Sequence, residues 1–119
     1  MLNKIQKENN EVIYLQDSTF TIDNNEIQRL IKLSKKNKKK IIRLCLHKNV
    51  NSDVHQMIIV HPKNYYIRPH KVLDKSETGM ILKGNCDLIL FEDDGVVKEK
   101  ISMGPISQKN KPFIYNFPK

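Results

Sequence analysis

Tryptophan is absent from this chain of 119 residues, glycine occurs only 4 times, proline 5 times and cysteine twice. So little glycine and proline excludes collagen-like and low-complexity architectures, and two cysteines are too few for a disulfide-built secreted scaffold. Cys45 and Cys86 each sit within an apolar stretch and are expected as small core residues in a reducing compartment. No run approaches the roughly 20 apolar residues of a membrane span. Met1 to Asn10 is polar and charged, where a secretory leader needs an apolar segment. A cytoplasmic protein with no membrane partner is expected.

What is present suits one globular domain. Hydrophobic residues make up 39% of the chain and charged residues 29%, ordinary values for a folded domain of this length. The net charge is +8, and five of the lysines fall within Lys35 to Lys40, without which the charge is +3. A lysine run with no interleaved aromatics reads as a solvated helix end rather than a nucleic-acid footprint. No nucleic-acid partner is expected from it.

One helix is announced by its start signals. Asp23 suits an N-cap with Glu26 as its reciprocal partner, and Ile22 and Ile27 occupy the positions of a hydrophobic staple. Ile27, Leu30, Ile31 and Ser34 then follow helical spacing, and the lysines come last, where cations suit the carbonyl end of the dipole. The pattern predicts a helix over about 24–37. After Lys40 short Ile-, Val-, Leu- and Tyr-rich segments alternate with turn residues every 8 to 12 positions, the texture of a sandwich or barrel. Strands are expected over 41–47, 55–60, 65–68, 79–83, 86–91, 96–101 and 113–117, with a further edge strand over 12–15. Asn49 to Asp53, His61 to Asn64, Lys83-Gly84-Asn85 and Asp93-Asp94-Gly95 supply the turns.

Alternation within these strands points to a site. Residues two apart share a face, so Ile42, Leu44 and Leu46 oppose Arg43, Cys45 and His47, while Tyr66, Arg68 and His70 share parity in a later segment. Two neighbouring strands would then aim Arg43, His47, Arg68 and His70 into one space. Guanidinium groups there would favour an anion, and a small barrel holds one small ligand.

Four pieces of sequence carry a resemblance. They are Arg43-Leu44-Cys45-Leu46-His47, Val54-His55-Gln56-Met57, Tyr66-Ile67-Arg68-Pro69-His70-Lys71, and Lys75-Ser76-Glu77 leading through Gly84 to Leu88-Ile89-Leu90-Phe91 with Asp93-Asp94-Gly95. In order and spacing this stretch resembles the WbuC-type cupin family, small cupin-fold metalloproteins encoded among bacterial surface-polysaccharide genes. The resemblance implies a mainly β fold, a double-stranded β-helix barrel of the jelly-roll kind over 41–119. An N-terminal segment, 1–40, precedes it and carries the helix. It also implies a homodimer and a metal-site lineage inside the barrel. His70 matches the first histidine of the cupin motif, Glu77 its acid and Gly84 its closing glycine. Val72 stands where a second histidine would be, and the sequence ends at Phe117-Pro118-Lys119 before the strand that would bring another.

Those departures bear on ligands. A catalytic Zn, Ni, Mn or Fe ion generally takes about three protein ligands. His70 and Glu77 supply two, and His47, at another family position, is the candidate third in what is an incomplete site. Without a metal, His47 and His70 would serve as hydrogen-bonding groups in a polar interior. His70 and Glu77 are also the candidates for moving a proton in a sugar-nucleotide isomerisation or epimerisation, unless Glu77 is paired with Arg68. Arg43, Tyr66 and Arg68 are the candidate ligand-binding residues, the two arginines for an anionic group and the tyrosine for stacking on a sugar ring. The expected role is therefore small-ligand binding in polysaccharide biosynthesis. The alternative is a metal-free barrel with a structural or regulatory part.

Overall fold

The computed structural model describes residues 5–71 and 73–118. The chain is mainly β with one helix: β1 (Ile5–Lys7), β2 (Val12–Leu15), α1 (Asn24–Lys36), β3 (Ile42–Cys45), β4 (Met57–Val60), β5 (Glu77–Met80), β6 (Cys86–Phe91), β7 (Val97–Met103) and β8 (Ile114–Phe117). It divides into two compact units, Met1–Ile67 and Arg68–Lys119.

The first unit is a four-stranded sheet in the order β1-β2-β3-β4 with α1 on one face. β2 runs parallel to β3, pairing Ile13 with Leu44, so the chain must cross over between them, and α1 lies in that crossover. β3 then pairs antiparallel with β4, Arg43 opposite Ile59. Alternation sends Ile13, Leu15, Ile42 and Leu44 to the helix, where they bury against Leu30, which is 0% exposed; Leu33, Leu46, Ile58 and Val60 pack around them.

The helix begins where its cap predicts. Asp23 Oδ1 accepts the Glu26 amide at 3.0 Å, satisfying one of the donors that a first turn leaves unpaired. The reciprocal half of the expected capping box is replaced: the Glu26 carboxylate takes Arg29 Nε at 2.6 Å instead. At the other end Asn37 turns the chain out. It is buried, its amide nitrogen donates to the carbonyls of Asn10 and Ile41, each at 2.7 Å, and its backbone N–H donates to Ser34. Asp23→Ala should lower stability by about 0.5–2 kcal/mol, read from urea unfolding followed by the helical circular dichroism signal; an unchanged midpoint would contradict the cap.

The second unit holds two two-stranded sheets, β5 with β8 and β6 with β7. The β6–β7 hairpin turns at Asp93-Asp94-Gly95 as expected: Gly95 has φ +91, and Asp94 Oδ1 accepts the Val96 amide at 3.0 Å. A bulge at Leu90/Phe91 interrupts the ladder. In the other pair Tyr115 lies across Gly79, where a side chain would collide with the tyrosine ring. Among the described residues no sheet closes into a barrel.

Several expected strands differ from those formed. The stretch over 65–68 is not a strand: Tyr65 closes a turn on the Pro62 carbonyl, and no neighbouring strand pairs with the segment. Pro69 follows it and offers no N–H to a ladder. The strand expected over 79–83 begins earlier, at Glu77, because it pairs with β8 through Phe117. β1 forms from Ile5–Lys7, a segment whose exposed side chains give no apolar signal. Cys45 is buried at 2% exposure, though outside the cluster under α1, whereas Cys86 is exposed, since it opens β6 directly after the Gly84 turn.

Candidate functional site

The sheet of the first unit has a second face. Because Ile42 and Leu44 enter the core, Arg43, Cys45 and His47 are left on the side away from α1. β2 adds Tyr14, opposite Cys45, and β4 adds Ile59, opposite Arg43, followed two residues on by His61. This face therefore gathers a guanidinium, a thiol, a phenol and two imidazoles on a frame fixed by backbone pairing.

Arg43 is the electrostatic centre of that face. Its side chain is exposed, and among the described residues no carboxylate lies within 4.0 Å of it. Its field nevertheless acts on its neighbours. Partial desolvation first, and then the Arg43 charge, hold His61, whose ring stays exposed at the surface, below its ordinary pKa of 6.5. Burial pushes the Cys45 thiol up, which Arg43 opposes only in part, so Cys45 stays a neutral thiol and a poor nucleophile. Tyr14 is likewise raised by burial, with Arg43 acting against it. His61 is stacked on Tyr65, ring centroids 4.7 Å apart.

His61 carries a pH prediction. The unfolded chain binds a proton at this ring near the ordinary pKa, whereas the folded chain resists it, so the unfolded state holds more protons as the solution is acidified. The stability that His61 contributes is present above pH 6.5 and is lost as pH falls from there through its lowered folded value. His61→Phe, which preserves a ring for Tyr65, should flatten the decline in stability between about pH 7 and pH 5. Chemical unfolding across that range checks it; parallel curves for the two proteins would contradict it.

The other expected site residues are distributed as follows. His47 is 9% exposed and stacks face to face on His55 at 4.2 Å, with Tyr14 edge-on at 5.6 Å. Its Nδ1 lies 3.1 Å from the Gln56 carbonyl and 3.2 Å from the Gln56 amide, so either tautomer of the ring bonds the Gln56 backbone. His47 thus fastens the chain between β3 and β4, the hydrogen-bonding role open to it without a metal. Tyr66 is 77% exposed and belongs to no strand. In the second unit, Arg68 and His70 are exposed, and His70 Nδ1 lies 3.2 Å from the Arg68 carbonyl. With no strand there, the shared parity of residues 66, 68 and 70 does not define a face.

Glu77 is half-buried on β5, and no ion pair joins it to Arg68. Its carboxylate instead accepts from Tyr115 Oη at 3.4 Å. Burial foremost, and then the Glu77 charge, push the Tyr115 hydroxyl up, keeping it a donor. Among the described residues no three His, Cys, Asp or Glu side chains gather closely enough to hold a metal ion. Val72 lies outside the described residues. A cleft of about 230 Å³ beside Tyr14 is lined by Gln6, Glu8, Lys48, Asn49 and Val50. It is open, and Glu8 and Lys48 set opposite charges in its wall.

The sequence did not signal Tyr14 and His61 as neighbours of Arg43. His61 shares parity with Ile59, but its place beside Arg43 depends on the β3–β4 register across an eleven-residue connection. Tyr14 arrives through a parallel pairing on the far side of a helix, which no local pattern encodes.

The family model described as a domain of unknown function, DUF6016, matches residues 22–103, a span from the helix cap to the end of β7 that includes Arg43 and His61. No curated protein and no solved structure matches the chain. Among the described residues no helix is long and apolar enough to cross a membrane.

Proposed function

The chain belongs to the DUF6016 family, and we propose that it is a cupin-type binding protein of the WbuC kind that holds a small anionic, sugar-related ligand on the sheet face opposite α1. Its setting on this reading is bacterial surface-polysaccharide biosynthesis. The observation that carries the proposal is Arg43, an exposed guanidinium with no carboxylate partner among the described residues, fixed by β-pairing on both sides. A guanidinium in that position offers paired N–H donors to a phosphate or carboxylate. Tyr65, stacked on His61 beside it, offers an aromatic surface for an apolar sugar face.

The barrel that this reading requires draws support from the second unit. In sequence order the β6–β7 hairpin falls between β5 and β8, which pair with each other. Jelly rolls are likewise built from antiparallel strands paired across long connections. A homodimer belongs to the same reading.

The donors expected for a metal do not form a set: among the described residues no three His, Cys, Asp or Glu side chains gather closely enough to hold one. Elemental analysis of protein purified without chelator should find well under one transition-metal ion per chain. A near-stoichiometric metal, lost in His70→Ala, would contradict this metal-free reading. The ligand is tested by isothermal titration against nucleoside-diphosphate sugars, sugar acids and neutral hexoses. Saturable heat from an anionic sugar and none from the neutral ones is expected; silence across the panel would overturn the proposal.

A further inference from the structure

We propose that the lysine cluster closing α1 is a surface that adsorbs to an anionic lipid bilayer. Between Glu26 and Asp53 the chain carries nine Lys and Arg residues and no acid. Arg29 is paired with Glu26. Lys32, Lys35, Lys36, Lys38, Lys39 and Lys40 are exposed, and among the described residues none has a carboxylate within 4.0 Å.

The cluster is held in shape. Lys35 and Lys36 form the last turn of α1, and Lys38 to Lys40 follow in a tight turn. Lys40 adopts φ 60, and its Nζ donates to the Lys35 carbonyl at 2.6 Å, tying the turn back onto the helix end. The buried Asn37 fastens the middle of the turn to the Asn10 and Ile41 carbonyls.

Magnitude argues against a purely structural role. A helix C-terminus carries the equivalent of about half a negative charge, whereas Lys35 to Lys40 contribute five positive ones. One or two lysines would meet the dipole. The remainder repel one another, which raises the energy of the folded state until a counter-anion is supplied.

The residue types select among polyanions. Lysine is a hydrated point charge on a flexible stem, which suits a diffuse surface potential rather than a fixed bidentate contact. Residues 21–64 contain no Phe, Tyr or Trp, so bases would find no stacking platform. The apolar side of α1 is already occupied by the sheet, which leaves adsorption by surface potential rather than insertion. Adsorption requires no membrane span, so it is compatible with a chain whose described helix is too short to cross one. Adsorption does not depend on the Arg43 ligand.

The test is flotation of the full chain with phosphatidylglycerol-containing vesicles and with pure phosphatidylcholine vesicles. Recovery only with the anionic vesicles is expected, abolished at about 1 M NaCl, where the Debye length is about 3 Å. Replacing Lys35, Lys36, Lys38, Lys39 and Lys40 together by Gln should reduce partitioning by at least about a hundredfold. The milder Lys38→Gln/Lys39→Gln protein should lose about tenfold and guards against misfolding of the fivefold variant. Failure of the natural chain to float with anionic vesicles, or equal flotation of all three proteins, would overturn the proposal. So would tighter binding to single-stranded RNA than to the vesicles at the same salt, measured by fluorescence anisotropy, since that would assign the cluster to nucleic acid.

Discussion

Leu44→Ala is expected to destabilise the first unit by about 2–5 kcal/mol. Leu44 is 1% exposed, sits on β3 with a paired strand on each side, and contributes to the cluster that Leu30 caps from the helix. Its removal costs the transfer energy of the lost methyl groups and leaves a space that hydrogen-bonded neighbours cannot easily collapse into. The comparison is Ile59→Ala, on β4 opposite Arg43, where the side chain is 42% exposed and the loss should be much smaller. Urea unfolding of the two variants measures the contrast. Equal losses would mean that the helix-facing side of the sheet is not the principal core.

Arg43→Gln should weaken binding of an anionic sugar by about ten- to a hundredfold while leaving stability nearly unchanged. Hydrogen bonds between charged partners contribute about 1.5–3 kcal/mol, and glutamine retains a donor but no charge. No ion pair of Arg43 within the described residues would be broken by the change, so folding has little to lose. The same substitution removes a positive charge that helps to hold His61 below its ordinary pKa, so that ring should titrate higher in the variant. Titration calorimetry gives the affinity, and histidine proton shifts give the second effect. Unchanged affinity would place the ligand elsewhere.

How much of this was legible in the sequence depended on whether the determining contacts were local. The helix was found nearly to the residue because Asp23 and the apolar spacing that follows it act within one or two turns. β2 and β6 also match their expected limits, and the Asp93-Asp94-Gly95 turn lies where its residue types demand. The segment over 65–68 misled because alternating aromatic and apolar residues suit a strand, yet a strand exists only when a neighbour completes its hydrogen bonds. The candidate site divides in the same way. Arg43 and His47 were placed on one face by two-residue periodicity, whereas the neighbours Tyr14 and His61 come from pairings between distant segments. Glu77 has the charge to pair with Arg68 and instead meets Tyr115, which β8 delivers from 38 residues away.

The most direct measurement is a two-dimensional amide NMR titration of the labelled protein with a nucleoside-diphosphate sugar. Saturable shifts should cluster on Tyr14, Arg43 to His47 and Ile59 to Tyr65, and vanish in Arg43→Gln. Shifts confined to β5–β8 or to Lys35–Lys40, or shifts that persist in that variant, would contradict an anion site on the sheet face opposite the helix.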